Sequence, residues 1–428
     1  MYPNLYYVFK DFFGVEWKFL SIVNSFGFFV AIAFILSAMV LAKELKRKSS
    51  EGLLQPTEMT ITVGHPATIV EILMNAFFGF LFGYKILGLF LLNSNVTEDP
   101  QQYIFSGIGS WPGGIALAVL FGFLKWYEKN KQKLPKPEKR TVRVWPQDRV
   151  GEITILALVF GLLGAKLFDT FENWDTFVKD PSTFFSVSGL TFYGGLICAA
   201  LAIWWYARKH KIGFWHLNDA AAPTLMLAYG LGRIGCQVAG DGDWGIYNAA
   251  FMTDAAGNVM GGGTVETFNQ ALQANTQFFS HTGTEHAFFA KPGFLSFLPD
   301  WMFAYNYPHN VNETGVQLAN CTGKFCNHLP VPAFPTPFYE IVASLIIFGI
   351  LWSLRKKIKV PGALFALYLM FNGLERFLVE KIRVNTRMNI LGFHPTQAEV
   401  ISTLLFLTGL VLWFWLHKKH RAQPVAGK

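Results

Sequence analysis

Tyr229-Gly-Leu-Gly-Arg233-Ile-Gly235-Cys236-Gln-Val-Ala-Gly240-Asp241-Gly-Asp243-Trp244-Gly245 closes an apolar run that begins near residue 216. Up to Tyr229 the run reads as a helix bound for lipid. Then come glycines, one arginine and two aspartates. A guanidinium facing hydrocarbon is costly, so an arginine here is either enclosed with a partner or holds an anion. The stretch therefore marks a polar site at the end of a spanning helix, and the rest of the chain must decide between the two roles.

Working outward, the surroundings are those of a membrane protein. The chain has 428 residues, of which 52% are hydrophobic, 16% aromatic and 15% charged; a soluble domain carries about 25% charged residues. A bilayer core of about 30 Å needs roughly 20 apolar residues in a helix. About nine segments qualify, at about 19–42, 67–92, 111–127, 150–170, 191–207, 216–236, 336–354, 361–380 and 396–416. The expected fold class is an all-α, polytopic bundle of about nine transmembrane helices with a small extracytoplasmic domain. No cleavable signal peptide is expected, because the first run has no small-residue cleavage site before its basic flank.

Orientation follows from the loops. Lys43, Lys46, Arg47 and Lys48 follow the first segment, and eight basic residues fall between Lys125 and Arg143 after the third. Arg208, Lys209 and Lys211 follow the fifth, Arg355, Lys356, Lys357 and Lys359 the seventh, and Lys418, Lys419 and Arg421 the ninth. Together these are 22 of the 36 lysines and arginines, all in alternate connections. The positive-inside rule makes those connections cytoplasmic, with the N-terminus outside and the C-terminus inside. Such charges read as topological anchors rather than as a nucleic-acid surface.

The long insert at 238–335 is too large for a bare loop and reads as the extracytoplasmic domain. Cys321 and Cys326 lie in it, suited to a disulfide in an oxidising compartment; a zinc pair with His309 or His328, or two free thiols, are the other readings. The chain also repeats itself at a shift of 81 residues. Glu71 falls on Glu152, Gly83 on Gly164, Lys85 on Lys166, Asp99-Pro100 on Asp180-Pro181, and Gly113-Gly114 on Gly194-Gly195. This predicts a duplicated helical hairpin. The expected division is 1–66 (N-terminal segment and first helix), 67–149 (extra hairpin and basic loop), 150–237 (membrane core, first part), 238–335 (extracytoplasmic domain) and 336–428 (membrane core, second part, and basic tail).

Three further constellations sit at predicted outer helix ends. Tyr193-Gly194-Gly195 opens one helix: paired glycines permit close backbone approach and N-terminal amides suit an anion, while helix packing through small residues is the plainer reading. Pro335-Thr-Pro-Phe-Tyr339-Glu340 opens another, where an acidic residue complements the helix dipole or pairs an arginine. Arg376 and Glu380 share one helix face four residues apart, which alone reads as a self-satisfied structural pair, with Arg383 beyond them as a snorkelling anchor. Arginines on different helices at one depth suit a phosphate, because each offers a planar fork of donors. The residues alone leave open whether such a site reacts, binds or transports.

At these residues the chain resembles the bacterial prolipoprotein diacylglyceryl transferases, whose signature reads Gly-Arg-x-Gly-Asn-Phe-x-Asn-Gly-Glu-x-x-Gly. Gly232-Arg233-Ile234-Gly235 and Trp244-Gly245 match it; Cys236 stands at the asparagine, and Asp241 or Asp243 at the glutamate. Tyr193-Gly194-Gly195-Leu196 is similar to the family's His-Gly-Gly-Leu, with tyrosine for histidine. Asp219-Ala-Ala-Ala-Pro223, Thr336-Pro-Phe-Tyr339-Glu340 and Arg376-Phe-Leu-Val-Glu380-Lys-Ile-Arg383 resemble further family motifs, all in family order. The resemblance implies transfer of a diacylglyceryl group from phosphatidylglycerol to the lipobox cysteine of preprolipoproteins, whose signal peptides would be the second substrate, in the bacterial plasma (inner) membrane. It implies Arg233, Arg376, Tyr193, Asp241, Asp243 and Glu380 as candidate catalytic residues. Arg233, Gly194, Gly195, Tyr339, Glu340, Arg376 and Arg383 are the candidate phospholipid contacts. No cofactor, metal or nucleic acid is expected. A phospholipid-binding relative with altered chemistry, or a lipid transporter built on the parallel repeat, are the alternatives.

Overall fold

The computed structural model describes residues 1–91, 103, 106–185, 189–254, 257–319, 321–385, 387–389 and 392–422. Its long helices, in chain order, are α1 (Ser25–Ser50), α2 (Ile69–Phe82), α3 (Trp111–Lys131), α4 (Val150–Glu172), α5 (Phe192–Lys209), α6 (Phe214–Ala239), α7 (Thr336–Leu354), α8 (Ala363–Glu380) and α9 (Gln397–Ala422). Each coincides with one of the apolar segments. Among the described residues, five helices are long and apolar enough to cross a membrane: Ser25–Ser50, Ile69–Leu87, Pro146–Glu172, Thr336–Leu354 and Gln397–Arg421. The chain is thus a mostly helical membrane protein.

It is not helical throughout. β1 (Thr57–Val63) and β2 (Glu138–Val144) pair antiparallel, Thr57 opposite Val144 and Val63 opposite Glu138. β-Branched residues favour strands in both stretches, Thr57 and Thr60 to Val63 in one and Thr141, Val142 and Val144 in the other. The expected all-α fold is therefore corrected to a mostly helical one.

The chain divides into two compact units. The second, residues 8–23 and 46–212, holds two helical hairpins, α2–α3 and α4–α5, and the β-ribbon. A capping box of Thr68 and Glu71 starts α2, and the Ser110 side chain caps α3. The hairpins repeat their contacts 81 residues apart. A Cβ on Gly83 would lie 2.2 Å from the Gly113 carbonyl oxygen, and one on Gly164 2.5 Å from that of Gly194. The Ser110 amide donates to Tyr84 O at 2.8 Å, and the Thr191 amide to Ala165 O at 3.1 Å. Lys85 Nζ donates to Ile108 O at 2.9 Å, and Lys166 Nζ to Gly189 O at 3.3 Å. Only glycine permits backbones this close, which is how membrane helices associate without hydrophobic drive. The Asp99-Pro100 pair lies outside the described residues.

The first unit comprises residues 1–7, 24–45 and 213–428. Here α6 packs on α7 and α8, α7 on α8, and α8 on α9. Glycine again sets the contacts: a Cβ on Gly373 would meet Ser402 O at 2.6 Å, and one on Gly409 would meet Ala366 O at 2.7 Å. Asp219, inside α6, accepts the Gly362 amide at 2.8 Å and the Phe365 amide at 3.1 Å. A buried carboxylate from another helix thus satisfies the orphaned first turn of α8. Glu44 of α1 pairs with Arg355 after α7 at 3.2 Å.

Between α6 and α7 lies a folded insert. Gly240 ends α6 in the left-handed conformation, at φ 65°. Short strands and the helices Val265–Ala274 and Thr276–Thr282 follow, around a core of Tyr247, Phe268, Phe279, Tyr307, Leu329 and Val331. Cys321 and Cys326 form a disulfide.

Candidate functional site

Arg233 occupies the last turns of α6, and its charge is met from two directions. Glu340, in the first turn of α7, forms an ion pair with Arg233 Nε at 2.5 Å and accepts a hydrogen bond from Nη2 at 3.2 Å. Asp243, just past the end of α6, binds Arg233 Nη1. The Tyr229 ring lies under the guanidinium, 5.5 Å from centroid to Cζ, a cation–π geometry.

Glu340 is the centre of the cluster. Its side chain is 0% exposed, and its Oε1 also accepts from Arg376 Nη1 at 3.2 Å and Arg383 Nη1 at 3.4 Å. Arg376 Nη2 reaches Glu380 at 3.0 Å, and Arg383 Nη2 reaches Asp243 Oδ1 at 2.9 Å. Glu380 Oε1 in turn accepts from Asn385 at 2.6 Å and Thr396 at 2.7 Å. Three guanidiniums from two helices and the segment beyond them converge on three carboxylates.

The local sequence explains the convergence. The Ile246 amide donates to Ile382 O at 2.8 Å, and the Gly245 amide to Phe334 O at 2.9 Å. A Cβ on Gly245 would lie 2.3 Å from Ile382 O. Gly245 therefore lets the chain after α6 lie against the chain after α8, which sets Asp243 beside Arg383. Thr336 Oγ1 fixes the same turn by donating to Asp243 O at 2.6 Å.

The two aspartates have different surroundings. Asp243 is the carboxylate of the cluster; burial works against its charge, but Arg233 and Arg383 hold it below the usual aspartate range. Asp241 faces the Cys236 thiol, and burial pushes its carboxyl up. Cys236 Sγ also lies 3.5 Å from Arg233 Nη1. Cys236, Asp241 and Asp243 offer ligand atoms within 4.8 Å of one another. The Arg233 guanidinium already supplies positive charge there, which disfavours a metal cation.

Other predicted residues fall elsewhere. Arg383 is a buried member of the cluster rather than a snorkelling anchor, since its side chain is enclosed between Asp243 and Glu340. Tyr339 donates its hydroxyl to Met302 O at 2.8 Å, so it ties the insert to α7. Tyr193, Gly194 and Gly195 belong to the other unit. A Cβ on Gly194 would lie 2.6 Å from Gly164 O, and one on Gly195 2.8 Å from Gly161 O. These two glycines lie in the α4–α5 seam, where they allow the close approach of the two helices.

Sequence reasoning passed over Glu375. It is 6% exposed, and neither carboxylate oxygen has a hydrogen-bond partner among the described residues. An acidic residue inside an apolar run is itself the signal; the neighbouring arginine motif drew attention from it.

With this geometry in place, comparison with known proteins is specific. A family model described as prolipoprotein diacylglyceryl transferase matches residues 113–415. Among similar curated proteins is the phosphatidylglycerol–prolipoprotein diacylglyceryl transferase of Pseudomonas aeruginosa, 23% identical over 294 residues, covering 67% of this chain and 84% of that one. The enzyme of that name from Clostridium novyi is 26% identical over 267 residues, covering 62% and 78%. That from Xanthomonas euvesicatoria is 27% identical over 278 residues, covering 63% and 77%.

Proposed function

The chain belongs to the prolipoprotein diacylglyceryl transferase family, and from that premise we propose that it moves the diacylglyceryl group of phosphatidylglycerol to the cysteine thiol of preprolipoproteins. The observation that carries the reading is the buried cluster of Arg233, Arg376 and Arg383 around Glu340. It is an assembly of preset donors at a helix end, which suits a phosphate.

In the proposed reaction the substrate thiolate attacks the terminal glyceryl carbon. A C–S bond forms, the C–O bond to phosphate breaks, and glycerol phosphate leaves with the bonding pair. Arg233 and Arg376 stabilise the charge growing on that phosphate, an effect worth about 10²–10³ in rate for one fixed donor. Glu340, Asp243 and Glu380 aim the three guanidiniums and balance their charge. The thiol proton must leave before attack, because the thiolate is the nucleophile. Asp241 is suited to receive it: burial raises its proton affinity, and it has no arginine ion-pair partner among the described residues. Tyr193 is assigned a headgroup contact.

We place the protein in the bacterial inner membrane with nine spans, N-terminus outside, C-terminus inside, and the insert on the outer side. The extra hairpin, α2–α3, is read as a duplication of α4–α5, supported by the contacts repeated at a shift of 81. A transporter reading finds less support. Lys85 is held by the carbonyls of Tyr103, Ser106 and Ile108, and Lys166 by Asp169 and Gly189. Neither is poised to shuttle charge.

The test is direct. Purified protein with phosphatidylglycerol vesicles and a lipobox peptide is expected to yield a thioether-linked diacylglyceryl peptide by mass, and Arg233→Ala to abolish it. No such product from the wild-type protein would refute the reading. A fully active Tyr193→Phe would remove the role of that hydroxyl.

A further inference from the structure

A second polar cavity flanks the arginine cluster. It has a volume of about 420 Å³ and shares Glu380 and Arg383 with the cluster, so it opens onto the flank of the reacting centre. Its other walls come from the insert (Ile246, Glu285, His286) and from the segment after α8 (Lys381, Asn385, Arg387, His394, Thr396, Glu399). All lie within one compact unit.

Most of its charges are already committed. Lys381 pairs with Glu399, which also accepts the Thr396 amide at 3.0 Å and so caps α9. Arg383 is held by Asp243 and Glu340, and Glu380 by Arg376. Arg387 differs: it lines the cavity and makes no direct ion pair among the described residues, its guanidinium acting on the Glu399 carboxylate only at longer range. Two imidazoles, His286 and His394, share the wall with it; Asn385 and Thr396 already donate to Glu380, and with Glu285 they keep acceptor oxygens for hydroxyls. The lining thus combines a guanidinium without a direct ion-pair partner with groups suited to a polyol.

We propose that this cavity receives the glycerol phosphate released by the transfer, with Arg387 as its phosphate ligand and Asn385, Thr396 and Glu285 facing the glycerol hydroxyls. The proposal rests on the transferase reading. Its physical basis is that a phosphate leaving the cluster cannot cross hydrocarbon, since burying an unpaired charge is prohibitive. The cavity is a polar path that begins at Arg383. Arg387 is a binding residue for the leaving group and takes no part in breaking the bond.

The test uses the full-length protein in nanodiscs and measures equilibrium binding of glycerol phosphate, inorganic phosphate and glycerol, alongside turnover of phosphatidylglycerol and a lipobox peptide. Glycerol phosphate is expected to bind more tightly than either fragment and to inhibit turnover. Arg387→Gln should weaken its binding and raise its inhibition constant about tenfold, the loss expected for one charge-assisted hydrogen-bonding group. The KM for phosphatidylglycerol should stay unchanged. His394→Ala should weaken the same binding without changing that KM. If wild type makes product but does not bind glycerol phosphate, the cavity assignment fails and the transferase reading stands. If wild type makes no product, that reading itself fails. Binding unaltered by both variants, or a raised KM for phosphatidylglycerol with unaltered product inhibition, would overturn the assignment.

Discussion

Glu340→Gln isolates the electrostatic core of the site. The substitution keeps the side-chain volume, so packing against α6 and α8 is preserved. It removes the charge that answers Arg233 at 2.5 Å, Arg376 at 3.2 Å and Arg383 at 3.4 Å. It also turns an amide donor toward guanidinium donors. Breaking a buried ion pair by removing one partner costs about 3–5 kcal/mol, whereas an exposed pair is worth about 0–1 kcal/mol. Asp243 and Glu380 still neutralise part of the cluster, so the lower end applies, about 3 kcal/mol. Equilibrium unfolding in mixed micelles measures the difference. Added phosphatidylglycerol should narrow the gap, because its phosphate replaces the missing negative charge; phosphatidylcholine, with no net charge, should narrow it less. A loss under about 1 kcal/mol, or the same gap with both lipids, would show that the cluster is neither electrostatically tight nor an anion site.

Three other changes probe the scaffold. Asp219→Ala strips the amides of Gly362 and Phe365 of their acceptor and should cost about 0.5–2 kcal/mol, the range for loss of a helix cap, read by the same unfolding assay. Gly164→Val should force the α4–α5 seam apart, because its Cβ alone would sit 2.5 Å from Gly194 O; cysteine crosslinking between residues on the two helices reports the loss. Replacing Cys321 and Cys326 together with serine opens a short loop and should lower the stability of the insert by about 2 kcal/mol on a chain-entropy account, checked by proteolysis rates with and without reductant.

The helices were legible because membrane burial writes itself into composition: each apolar segment became a helix. The repeat was legible for a related reason, since Gly83, Gly164 and their partners are positions where no other residue fits. Arg233, Arg376 and Arg383 could be picked out because charge at a membrane edge is rare. Their joint dependence on Glu340 could not be read, because it arises from three segments meeting in space. The bond from Tyr339 to the insert could not be read for the same reason, as its partner Met302 belongs to a loop whose path no local pattern dictates. The β-ribbon escaped because its β-branched residues lie among the basic charges of β2.

The cluster also has an order of assembly written into its spacing. As the chain is synthesised, Arg233 enters the membrane 107 residues before Glu340 exists to meet it. Asp243, only ten residues later, is made almost at once. The nascent helix therefore acquires a local counter-ion long before its permanent one. Arg383, which is 140 residues beyond Asp243, arrives last and draws that aspartate into the finished network. In this account Asp243 is an escort as well as a ligand, and a protein lacking it would suffer first in membrane insertion.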